Sequence, residues 1–193
     1  MASRSERRHR ENPADRQDHG ERVPGPVLHR TRELLCAGAR GRTLEVGVGS
    51  GRNLPFYPPQ VRLTAIDTDP AKVERAREHA AELTLPSRFL VGDVQDLDFP
   101  DRSFDTVMCT LTLGAVEDQA AAMHEMYRVL EPGGRLLMVD RIGRARLPFR
   151  LIEQRRRNPR RLPREVAVEA GFRVGHHDRL MLGTIERVVA HRP

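Results

Sequence analysis

Thr43-Leu44-Glu45-Val46-Gly47-Val48-Gly49-Ser50-Gly51-Arg52-Asn53-Leu54 is the stretch on which the fold turns. A short apolar run reads as a buried strand, and alternate glycines at 47, 49 and 51 read as a tight loop feeding a helix. Glycine lets the backbone turn sharply and approach a ligand with no Cβ in the way. A helix N-terminus placed after such a loop offers unpaired N–H groups and a positive dipole end, suited to a carboxylate or similar anion. The spacing is GxGxG, with Arg at 52, whereas the dinucleotide fingerprint asks for GxGxxG. Taken alone, the loop is also compatible with a simple tight turn.

Outward from this loop, strand and helix patterns alternate. Short apolar runs bounded by turn residues predict strands at 43–47, 62–67, 87–92, 104–111 and 135–141. A short helix is expected over 26–38. Helical spacing of Val73, Ala76, Arg77 and Ala80 predicts a helix over 70–83, with Asp69 as cap and Pro70 at its first position. Ala121, Met123, Met126, Val129 and Leu130 form a stripe that predicts another over 117–130, stopped by Glu131-Pro132-Gly133-Gly134. A last helix at 163–171 and strands at 173–180 and 184–191 complete the pattern. Such alternation predicts an α/β, three-layer αβα sandwich around a mainly parallel sheet covered on both faces.

The whole-chain properties fit one domain. At 193 residues the chain suits a single α/β unit better than two. Residues 1–22 contain no Val, Ile, Leu or Phe and carry six arginines against five acids, so they are expected to be a disordered charged tail, with the domain at 23–193. No apolar run reaches the ~18 residues of a membrane span, and the N-terminus lacks a secretory apolar segment. Cys36 and Cys109 are far apart with no CxxC partner, which fits a reducing, cytoplasmic setting. The formal charge is +6, yet 32 of the 33 basic residues are arginine, a skew that a GC-rich coding sequence would produce and that no binding argument predicts.

Three further features address the loop's ligand. Asp67 ends the second strand, where a carboxylate can accept both hydroxyls of a ribose; alternatively it caps the helix at Pro70, the role expected of Asp69. Gly92-Asp93-Val94 ends the third strand, where an acidic side chain can bond an adenine amino group or simply make a turn. Cys109-Thr110-Leu111 closes the fourth strand beside the same crevice. His176 and His177, adjacent on a strand, face opposite ways and make a poor metal pair, so no metal is expected.

These residues resemble class I methyltransferases that use S-adenosylmethionine (SAM). Leu44–Gly51 looks like their motif I; Asp93-Val94-Gln95-Asp96-Leu97-Asp98-Phe99-Pro100-Asp101-Arg102-Ser103-Phe104-Asp105 and Arg128-Val129-Leu130-Glu131-Pro132-Gly133-Gly134-Arg135-Leu136 look like the type 11 methyltransferase domain. Asn53-Leu54-Pro55-Phe56-Tyr57-Pro58, Cys109–Leu113 and Ile185–Ala190 are similar to the branch related to phosphatidylethanolamine and thiol methyltransferases. The resemblance implies a Rossmann-like sheet of seven strands with an antiparallel last strand. It implies SAM held by Glu45, Gly47, Gly49, Gly51, Asn53, Asp67, Thr68, Asp93, Val94 and Thr110, and methyl transfer to a small-molecule or lipid acceptor. A general base is needed only if the acceptor must lose a proton, and Asp140 and Glu117 are the weak candidates. The family usually has a longer stretch after the fifth strand than 142–163 offers here.

That stretch is itself unusual. Residues 144–164 hold nine arginines against Glu153 alone. With Leu147, Phe149, Leu151 and Ile152 beside them, they can lie on an anionic membrane surface or grip an acidic ligand, or stand as a solvated basic loop. Aromatic residues are 4% of the chain, too few to favour base stacking on nucleic acid. The competing readings are a nicotinamide-dependent oxidoreductase and a catalytically silent SAM-binding scaffold.

Overall fold

A computed structural model describes residues 25–142 and 161–193. The expected tail at 1–22 and most of the arginine-rich stretch, 143–160, lie outside the described residues. In chain order the elements are α1 (Gly25–Cys36), β1 (Arg42–Val46), β2 (Arg62–Asp67), α2 (Pro70–Ala80), β3 (Ser87–Val91), β4 (Phe104–Thr110), α3 (Gln119–Val129), β5 (Leu130–Arg141), α4 (Pro163–Glu169), β6 (Arg173–Leu180) and β7 (Ile185–His191). The seven strands form one sheet in the order β3-β2-β1-β4-β5-β7-β6. Pairing is parallel from β3 to β5, and β7 runs antiparallel to both neighbours. This is the Rossmann-like arrangement with an antiparallel last strand.

Two apolar clusters sandwich the sheet. On one face Ala122, Met123 and Met126 of α3 and Val166 and Ala167 of α4 pack on Leu44, Val107 and Met138. On the other, Leu35 and Cys36 of α1 and Val73 and Ala76 of α2 pack on Leu63, Met108 and Val139. Adjacent strand residues alternate between the clusters, as period-two geometry requires. With helices on both sides, the central strands are buried on both faces: Leu44 and Val46 are covered on one and Glu45 on the other.

Several expectations need correction. The glycine loop leads into turns and a three-residue 3-10 segment, Leu54–Phe56, with Pro55 inside it, and no α-helix follows. Pro55, Pro58 and Pro59 lack N–H donors, so a regular helix cannot propagate there. The helix N-terminus expected to face an anion is therefore not present. On α2 the apolar stripe is Val73, Ala76 and Ala80, while Arg77 is exposed; on α3 Ala122, rather than Ala121, is fully buried. The Pro-Gly-Gly turn lies within β5: Leu130 pairs with Phe104 and Arg135 with Thr106, so 131–134 bulge out between them. Gly133 takes φ +76° in that bulge.

Asp69 caps α2 as expected, its carboxylate accepting from Ala71 N at 2.9 Å with Pro70 behind it. Two arginines of the basic stretch fall within the described residues and are used internally. Arg161 pairs with Glu169, and Arg164 pairs with the fully buried Glu186, which also accepts the Arg164 backbone N–H at 3.2 Å. No helix among the described residues is long and apolar enough to cross a membrane.

Candidate active site

The carboxyl ends of β1, β2 and β4 and the loop after β3 open into one crevice made of two adjoining cavities, of about 440 and 410 Å³, that share Gly47, Gly49, Lys72, Thr110 and Leu111. This is where ligands of open α/β sheets bind, because the strand order reverses beside β1. The first cavity is lined by Arg32, Glu45, Asn53, Arg52, Asp69 and Arg75; the second by Asp67, Thr68, Asp93, Val94, Gln95 and Glu117.

Each glycine of the loop has its own reason. Gly47 has φ +70°, and a Cβ there would stand 2.1 Å from Thr112 Oγ1. Gly49 has φ +56°, and a Cβ there would meet nothing within 4 Å: the space is the crevice. Gly51 has φ +79°, and its Cβ would strike Leu54 Cδ1 at 2.5 Å. It lines neither cavity, so its place in the structure is in building the turn.

Asp67 fastens this loop. One oxygen accepts from Gly49 N at 2.9 Å and the other from Asp69 N at 3.1 Å. Each oxygen keeps a second lone-pair site, so the carboxylate can serve both the loop and a ligand hydroxyl. Val48 N adds a bond to Ile66 O at 2.9 Å, tying loop to β2. Asp93 lies across the second cavity and accepts from Gln95 N at 2.9 Å, making the turn that was its alternative reading while still lining the crevice.

Beneath the first cavity lies a buried polar chain. Glu45 accepts from Asn53 Nδ2 at 2.8 Å and from Tyr57 OH at 2.9 Å, and the same Asn53 amide reaches Thr110 Oγ1 at 3.0 Å. Burial pushes the Glu45 carboxyl up to about 7, against the opposing pull of those two hydrogen bonds and of the Arg32 charge. Burial, followed by the charge of Arg52, lowers the Arg32 pKa, and its Nε is buried with no hydrogen-bond partner. Asn53 Oδ1 is likewise buried and unpartnered.

Thus Glu45, Gly47, Gly49, Asn53, Asp67, Thr68, Asp93, Val94 and Thr110 come together as expected, with Glu117 at the rim of the second cavity. Asp140 does not join them. It is buried and accepts from Gly114 N at 3.1 Å and Arg141 N at 2.6 Å, holding the segment after β4 in place. Sequence reading missed Arg32, Lys72, Arg75 and Tyr57. Tyr57 stood within the quoted Asn-Leu-Pro-Phe-Tyr-Pro run, but Arg32 arrives from α1 with no local signal. It also missed that Leu111 takes φ +57° where it lines both cavities. Among the described residues no group of three or more His, Cys, Asp or Glu is placed to hold a metal ion.

Residues 44–138 match the methyltransferase domain family. The chain is 38% identical over 128 residues to a phosphatidylethanolamine N-methyltransferase of Cereibacter sphaeroides, covering 65% of this chain and 63% of that one. It is 36% identical over 111 residues to the human thiol S-methyltransferase TMT1B, covering 55% and 46%. The matches thus span less than two thirds of these curated relatives. A SAM-dependent methyltransferase from Aquifex aeolicus shares the fold at 21% identity, with a TM-score of 0.64 over 86% of this chain and 93% of that one. The glycine loop, the strand-end carboxylates and the bulged Pro-Gly-Gly turn all fall inside the matched segment. That segment, 95 of the chain's 193 residues, is what the chain shares with the methyltransferase domain family.

Proposed function

We propose that this chain binds SAM in the crevice and transfers its methyl group to a small-molecule acceptor. The observation that carries the reading is the crevice itself: an open cradle over Gly49, with Asp67 beneath and Asp93 opposite, inside the family-matched segment. The residues present fit the cofactor. Asp67 has acceptor capacity left for ribose hydroxyls, and Asp93 for an amino group. Asn53 Oδ1 and Arg32 Nε are buried polar atoms without protein partners beside the first cavity.

Bound there, SAM supplies a methyl group already activated on a sulfonium, so the protein's task is chiefly alignment and exclusion of water. Thr110 and Leu111 wall the junction of the two cavities, where donor and acceptor must meet. Orientation can supply roughly 7–11 kcal/mol of a barrier in favourable cases. Glu117 is the one carboxylate of the two base candidates that faces a cavity; Asp140 is committed to backbone N–H groups. The names of the relatives support a lipid or thiol acceptor. The nicotinamide-dependent alternative has no support from the family match.

Calorimetry with SAM and with NAD(H) tests the cofactor. Binding is expected to SAM alone, weakened at least tenfold, about 1.4 kcal/mol, in Asp67→Ala. Tight NAD(H) binding, or none to SAM, would overturn the reading. Methyl-labelled SAM offered with a panel of amines, thiols, phenols and lipids tests turnover. SAM binding with no transfer to any of them would point to a silent scaffold.

A further inference from the structure

The anion site that the glycine loop promises is not built as expected. No α-helix follows the loop, so neither an α-helix dipole nor a row of free helical N–H groups faces the crevice there. Positive charge is nevertheless concentrated at that place. Arg32 from α1, Arg52 from the loop, and Lys72 and Arg75 from α2 all line the first cavity. Against these four cations the cavity has two acids: Asp69, which caps α2, and Glu45, which accepts from Asn53 and Tyr57 and whose charge also acts on Arg32.

Arg32 is the sharpest case. Its side chain lies against the cavity, its Nε is shielded from solvent, and no protein acceptor reaches that nitrogen among the described residues. A shielded guanidinium N–H left unpaired is unfavourable, and the same side chain lines the cavity. The nearby charge of Arg52 acts on Arg32 in the same direction as burial, and that of Glu45 opposes both.

We propose that Arg32 is the anion-binding residue of the crevice, taking a carboxylate or phosphate group in the cavity bounded by α1, the glycine loop and α2. A guanidinium presents paired N–H donors whose spacing matches both groups, which a lysine does not. In its carboxylate form the inference rests on the cofactor reading above, because SAM carries a carboxylate on its amino-acid end. In its phosphate form the anion belongs to the acceptor.

The test measures binding to the full chain and to Arg32→Ala and Arg32→Lys, using SAM and decarboxylated SAM, which differ in that one group. Inorganic phosphate titrated into the SAM-saturated protein forms the second arm. If the cofactor is the source, Arg32→Ala weakens SAM at least tenfold and leaves decarboxylated SAM unchanged, with Arg32→Lys in between. If the acceptor is the source, Arg32→Ala leaves SAM affinity intact and abolishes phosphate binding. Retained affinity for decarboxylated SAM shows that the variant folds. Equal weakening of both cofactors, or no change in either arm, overturns the proposal. Failure of the unsubstituted chain to bind SAM would instead overturn the cofactor reading; phosphate is then titrated into the cofactor-free chain, where binding lost in Arg32→Ala supports the anion site and binding unchanged in it overturns the proposal.

Discussion

Gly47 and Gly49 share a motif and a positive φ, yet what surrounds them separates their roles. An alanine at either position pays for a left-handed backbone, about 1–2 kcal/mol. At 47 it also drives Cβ onto Thr112, so Gly47→Ala should lose at least about 2 kcal/mol of stability by urea unfolding. At 49 the added methyl enters open crevice, so Gly49→Ala should keep most stability and lose SAM affinity by calorimetry. Glu45 gives a pH-dependent counterpart. Burial raises its carboxyl from 4.5 to about 7, so the folded chain holds a proton there that the unfolded chain has lost. The stability this contributes is full below pH 4.5 and is lost as pH rises through 7. Glu45→Gln removes the titration and still accepts from Asn53 through Oε1, while its amide nitrogen donates to the Tyr57 hydroxyl, whose own proton must turn away. Its advantage over the parent should therefore grow between pH 5 and 8, reaching on the order of 2–3 kcal/mol, and a flat difference in urea midpoints would refute this. Motif residues were legible because chain neighbours shape the loop. Arg32 was not, because only tertiary packing carries α1 to it.

Elements were legible wherever period and punctuation agreed. β2 carries its expected bounds, and α2 starts at Pro70 behind its Asp69 cap. Failures came where two signals competed in a few residues. After the loop, the strand-and-glycine pattern suggested a helix, while Pro55, Pro58 and Pro59 forbade one, and the prolines prevailed. At 131–134 the Pro-Gly-Gly signal correctly marked a turn, but flanking pairs with β4 make it a bulge inside a strand. Helix α3 shows a device that sequence indicated only as a boundary. Asp118 accepts from Ala120 N at 2.9 Å and Ala121 N at 3.0 Å, satisfying two free donors of the first turn. Gln95 reaches the same residue's backbone N–H at 2.7 Å, linking the cap to the Asp93 turn. Asp118→Ala should cost about 1 kcal/mol in thermal unfolding. It should change SAM affinity less than Asp67→Ala does, since Gln95 still holds the loop through the backbone.

Across the whole molecule, the two ends of the parallel strands divide labour. Their carboxyl ends open into the crevice, with unpartnered polar atoms and positive-φ backbone at Gly47, Gly49 and Leu111. Their amino ends are tied shut. Arg42 bridges Asp105 and Glu131 at 3.1 Å each, joining β1, β4 and the β5 bulge. Beyond β7, Arg192 donates to the carbonyls of Tyr127, Arg128 and Leu130 at 2.9, 2.9 and 2.6 Å and lies 4.5 Å over the Tyr127 ring. One side chain thus adds donors where α3 passes into β5, to carbonyls of which Tyr127 O and Arg128 O also accept backbone N–H groups, and joins β7's end to that corner. Arg192→Met keeps much of the apolar stem and removes the donors. Charge-assisted bonds of this kind are worth about 1.5–3 kcal/mol, so a stability loss of about 2 kcal/mol is expected from urea unfolding. Because this lock sits at the end of the sheet away from the crevice, SAM affinity at a temperature where the variant is folded should stay within about twofold of the parent's. A tenfold loss would mean that the two ends are coupled through the sheet, about 1.4 kcal/mol of linkage that the division between crevice and lock does not predict.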